Sequence, residues 1–157
     1  MSVSPQAQLE EFIGKYTPEM ATLTRAVLKK MRVRLTGAKQ LVYDNYNSLA
    51  IGFSSTERAG DVIFSVVPYP RWLLLFFFHA TKLPDPEKLL KGSGKVVRSV
   101  VVNDAKDLDA PALKKLMEAA LKCASVTIDP KQKSQIVIKS ISAKQRPRRP
   151  AVKVSSH

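Results

Sequence analysis

The sequence predicts an α+β protein: an antiparallel sheet of five to six strands with helices packed on one face, a two-layer sandwich. Three features of the chain lead there. Two helical patterns open it, a run of strand-like segments with short links follows, and a further helix and strand close it. Short links between consecutive strands favour antiparallel pairing, and helices segregated from strands favour one-sided packing over a doubly wound sheet.

Each element has its own warrant. In Gln6–Tyr16, Leu9, Phe12 and Ile13 recur at helical spacing while Glu10 and Glu11 take another face. Thr17-Pro18-Glu19 reads as a cap followed by proline at the first helical position. The second helix runs to about Leu35 with Met20, Leu23, Val27 and Met31 as its apolar stripe, and Thr36-Gly37 ends it. Gln40–Asn47 and Ser48–Ser54 form a hairpin turning near Asn45–Ser48, and Asp61–Val67 follows a polar turn. Pro68-Tyr-Pro-Arg71 breaks the pattern before Trp72–His79, which is apolar on both faces. Thr81–Lys91 holds two prolines and one short helical turn, and Val96–Val102 is a strand. Asp109-Ala-Pro111 caps a third helix reaching about Ser125, and Gln135–Ile141 is the last strand.

A chain of 157 residues with 45% hydrophobic residues fits one domain with a real core. The expected division is a folded domain over 1–142 and a basic, disordered tail over 143–157, where prolines and dense charge leave little to bury. One cysteine, Cys123, rules out an internal disulfide framework and a Cys-cluster metal site. The start has no basic, apolar leader pattern, and no apolar run approaches the roughly 20 residues that span a bilayer. The expectation is a cytoplasmic protein with no membrane partner.

Charge is the strongest compositional signal. Lys plus Arg number 26 against 13 Asp plus Glu, a net charge of +13. Eight of those cations and no acid fall in residues 130–157. Such a segment points to nucleic acid or another polyanion, or else to a solvated tail that aids solubility. The candidate polyanion contacts are Arg25, Lys29 and Arg32 on the second helix and Arg146, Arg148 and Arg149 in the tail.

Catalytic signatures are missing. Gly92-Ser-Gly-Lys95 lacks the spacing of a phosphate loop and leads into a strand rather than a helix, so it reads as a tight turn. Asp104, Asp107 and Asp109 precede a helix, where capping competes with holding a hard cation. His79 ends an apolar strand, and Cys123 reads as a small hydrophobe. No triad, nucleophile elbow or paired metal motif occurs, so the expectation is a protein that is not an enzyme, with no catalytic residue, metal or cofactor. Trp72–Phe78 is more informative. Leu73, Leu75 and Phe77 alternate with Trp72, Leu74, Phe76 and Phe78, so something must cover a second apolar face. The candidates are the chain's own segments, a homodimer partner or a small ligand. Tyr43, Tyr46, Tyr69 and Trp72 are also of the type that stacks bases.

Pro68-Tyr-Pro-Arg-Trp72, the segment His79–Lys95, the strand Val96–Val102 and Lys106–Leu113 together resemble the YdhG-like family of domains of unknown function. The resemblance spans about residues 18–128 and implies a frataxin-like fold. It also implies, from some relatives, a role as an intracellular iron chaperone. The first expectation for function is a small non-catalytic binding module with its ligand near Tyr46, Trp72, His79, Gly92, Gly94 and Lys95. Polyanion binding through the tail and second helix is the second, and iron delivery the third.

Overall fold

The computed structural model describes residues 3–79, 83–92 and 97–151. Helix α1 (Pro5–Gly14) starts where the Ser4 hydroxyl accepts the Ala7 N–H, and it buries Leu9, Phe12 and Ile13. Helix α2 (Pro18–Arg34) starts in the same way, with the Thr17 hydroxyl accepting from Met20 N–H. Its buried face is broader than the expected stripe. Ala21, Thr24 and Leu28 join Met20, Val27 and Met31, while Leu23 is only partly covered. Thr24 tolerates burial because its hydroxyl donates to the Met20 carbonyl at 2.7 Å. After α2 the chain reverses at Gly37, whose φ is +89°; a Cβ there would lie 2.1 Å from the Asp129 carbonyl oxygen. Only glycine meets both conditions.

Strands β1 (Lys39–Asp44), β2 (Leu49–Ser54), β3 (Val62–Pro68), β4 (Leu73–Phe77) and β5 (Arg98–Val102) follow, each antiparallel to the one before. Helix α3 (Pro111–Cys123) then returns the chain to β6 (Gln135–Ile141) on the far side of β1. The sheet order is β5-β4-β3-β2-β1-β6, with helices packed on one side: the α+β sandwich expected from the sequence.

The sheet itself is mixed, because β6 pairs with β1 in parallel. Short links dictate antiparallel neighbours only for hairpin-connected strands. The connection from β5 to β6 is long and contains α3, so either direction was open to it. A second correction concerns Asp109. The residue at the cap of α3 is Ala110, which makes no side-chain cap bond. Asp109 instead pairs with Lys30 and Arg34 of α2. Asp104 and Asp107 do cap, reciprocally, the short 3-10 helix Ala105–Asp109.

The core lies between sheet and helices. Val42, Ile51, Phe53, Phe64, Val66, Leu73, Leu75 and Phe77 meet Leu9, Ile13, Val27, Leu28, Met31, Leu113 and Met117. Phe64 and Phe77 are cross-strand partners and pack edge to face with ring centroids 5.1 Å apart. Strand register puts Leu74 and Phe76 on the opposite face with Leu41 and Val67. Leu41 and Val67 are buried there, but Leu74 and Phe76 are half-covered and their neighbour Val101 on β5 is 47% exposed. Among the described residues no helix packs on this face.

Candidate binding surface

Because the strands alternate in direction, the turns Asn45–Ser48 and Tyr69–Trp72 lie at the same end of the sheet. Tyr16, in the link between α1 and α2, ties them together. Its hydroxyl donates to the Pro68 carbonyl at 2.8 Å and accepts the Leu49 N–H at 3.1 Å. Burial pushes this phenol's pKa above its ordinary value, so it stays a neutral donor and acceptor.

The residues after β6 cross this end as a strap. Ser142 N–H donates to the Asp44 carbonyl and Arg146 N–H to the Tyr46 carbonyl, both at 2.8 Å. Arg148 is 5% exposed, with Nη2 3.0 Å from Asp44 Oδ1 and further donation to the carbonyls of Asn45 and Tyr46. Lys15 Nζ holds the other oxygen of Asp44 at 2.9 Å. Gln145 donates to the Asp44 carbonyl and accepts from Lys15. Arg149 donates to the carbonyls of Lys15 and Gly14, at the end of α1 where the helix dipole favours a cation. The disordered tail expected from residue 143 is therefore corrected for residues 143–151. They lack a core of their own, but the buried carboxylate of Asp44 gives them an anchor.

Asp44 organises this end. Burial alone would raise its pKa; hydrogen bonds from Gln145, Lys15 and Arg148, together with the charge of Lys15, more than reverse that. The carboxyl is held below the ordinary range. Outward from this interior pair stand Lys144, Arg146 and Arg149, all exposed. The Arg146 guanidinium lies over the Tyr46 ring, 5.6 Å from its centroid, and Tyr46 remains 50% exposed. Trp72 is also 50% exposed and leans on Tyr69 with centroids 5.9 Å apart; Arg71 beside it is exposed. This end can offer fixed cations next to open aromatic rings.

The expected ligand group is not assembled. Tyr46 and Trp72 share the strap end, whereas His79 follows β4 at the other end, about 17 Å away along a strand of that length. His79 lines a cavity of about 20 Å3 with Ile63 and Cys123, room for one water. Gly92 lies at that far end too, beside the bridge between Lys91 and Ser99, and Gly94 and Lys95 lie outside the described residues. The expected polyanion set also divides. Arg146 and Arg149 are both exposed, Arg149 while donating to the end of α1, but Arg148 is committed to Asp44 and is not available to a ligand. On α2, Arg25 pairs with Glu10 at 2.8 Å, Arg32 donates to Gln40 at 2.9 Å, and Lys29 is exposed.

Sequence reasoning missed Lys15, Tyr16, Asp44 and Gln145. A signal for Asp44 existed: Gln40, Val42 and Asp44 share the inward side of β1, and a carboxylate at an inward position demands a partner. Among the described residues no group of three or more His, Cys, Asp or Glu could hold a metal ion, and no helix is long and apolar enough to cross a membrane. Compared with known proteins, the chain matches no family model, no curated protein and no solved structure. The YdhG-like resemblance rests on its motifs alone.

Proposed function

We propose that the protein is a non-catalytic binding module that engages a polyanion at the strap end of its sheet. One observation carries this reading: the Asp44–Arg148 pair fixes a basic segment in which Lys144, Arg146 and Arg149 stay exposed, Arg146 over the Tyr46 ring and Arg149 at the end of α1. Cations on a fixed backbone lose less entropy on binding than cations on a free tail, and each phosphate they neutralise releases a counterion.

The test is a salt series with a fluorescently labelled single-stranded DNA, comparing the parent chain with Arg146→Ala/Arg149→Ala. Arg148 is left intact, because its loss would uncover Asp44. Removing two phosphate contacts is expected to weaken binding and to lower the slope of log K against log salt by about 1.4, at ~0.7 per contact for a single strand. Unchanged affinity and slope would remove this surface from the account.

A further inference from the structure

We infer that the polyanion is a single-stranded nucleic acid whose bases stack on Tyr46 and Trp72, an inference that rests on the polyanion reading above. Cations alone would suit any polyanion. The rings narrow the class. Tyr46 and Trp72 are each 50% exposed at the tips of two turns, where a purely electrostatic site would need no aromatic surface. Each ring is supported by a neighbour, Tyr46 by the Arg146 guanidinium and Trp72 by the Tyr69 ring. A supported ring keeps its orientation while the rest of its surface stays open.

Spacing fits as well. The two turns are joined to adjacent pairs of strands, so their centres are two strand spacings apart, about 10 Å. Tyr16 holds that separation by bonding both Leu49 and Pro68. Arg71 stands next to Trp72 and Arg146 next to Tyr46, so each ring has a cation within reach of the phosphates flanking a stacked base. In a duplex the base faces are already stacked on one another and closed to side chains. An unpaired strand offers its bases to the rings and its phosphates to the arginines together.

Trp72 is the one tryptophan of the chain, so its emission reports directly on stacking. The full chain is titrated with oligothymidylate, with an abasic strand of the same phosphate count, with a duplex of matched charge and with polyglutamate. Oligothymidylate is expected to quench Trp72 and to bind about 5- to 100-fold tighter than the abasic strand, the range set by stacking one or more bases. By anisotropy of a labelled strand, Tyr46→Ala and Trp72→Ala should each weaken binding about 5-fold or more without changing the salt slope. Arg146→Ala/Arg149→Ala should change the slope. Both aromatic residues are half-exposed, so circular dichroism of each variant should match the parent. Equal binding of thymidylate, abasic strand and polyglutamate with unchanged Trp72 emission would overturn the stacking inference and leave the polyanion reading standing. Duplex binding as tight as single-strand binding would overturn it too. Binding of none of the four would overturn both.

Discussion

Arg148→Met is the most informative single change to the fold. It keeps much of the apolar stem but removes the guanidinium from Asp44 Oδ1 at 3.0 Å, together with its donation to the Asn45 and Tyr46 carbonyls. Stripping one partner from a buried ion pair costs about 3–5 kcal/mol, because the remaining charge stays desolvated. Lys15 still holds Oδ2, but its side chain is 43% exposed and compensates only in part, which places the expected loss near the bottom of that range, about 3 kcal/mol. For a domain of this size that is a fall in melting temperature of roughly 6–12 °C. Urea unfolding followed by circular dichroism measures it, with Arg146→Met as the exposed control, expected within about 0.5 kcal/mol of the parent. Asp44→Asn/Arg148→Met should recover part of the loss, since neither charge is then buried alone. An Arg148→Met protein no less stable than the Arg146→Met control would refute the anchor.

Three further outcomes follow from the same contacts. The pKa of Asp44 is lower folded than unfolded, so its contribution is fully present above the unfolded value and is lost as pH falls through the folded one. The stability gap between the parent and Asp44→Asn should therefore shrink steadily from about pH 5 downward; a gap that widens on acidification would contradict the pairing. Tyr16→Phe leaves the Leu49 N–H and the Pro68 carbonyl without their shared partner and should cost about 1–3 kcal/mol in urea. Gly37→Ala forces a Cβ against the Asp129 carbonyl at positive φ and should cost more than the ~1 kcal/mol that a compatible glycine replacement changes, read from the same unfolding curves.

Element existence was legible because local rules suffice for it. Helical spacing in Leu9–Ile13 and Met20–Met31, caps at Ser4 and Thr17, and alternation in the strands are all properties of short windows. What failed depended on partners distant in sequence. The direction of β6 was set by a crossover around the sheet, and Asp109 left its capping position because Lys30 and Arg34 lay across from it. The strap is the sharpest case. By composition, residues 143–151 read as unable to fold, and nothing local contradicts that; their order depends on Asp44, 104 residues away from Arg148. The candidate surface was half-legible for the same reason. Tyr46, Trp72, Arg146 and Arg149 were visible as residue types, but only the strand directions show that they share an end while His79 and Gly92 do not.

The parallel pairing of β6 with β1 also bears on how the chain is made. Lys39 and Gln135, neighbours in the sheet, are separated by 96 positions. At ribosomal speeds of about 5–20 residues per second, roughly 5–20 s pass between the appearance of β1 and that of its outer neighbour. During that interval β2 can pair with β1 on one side, but the other side presents open N–H and C=O groups, and Asp44 lacks the arginine that neutralises it. A nascent chain in this state carries a sticky edge that another copy could occupy.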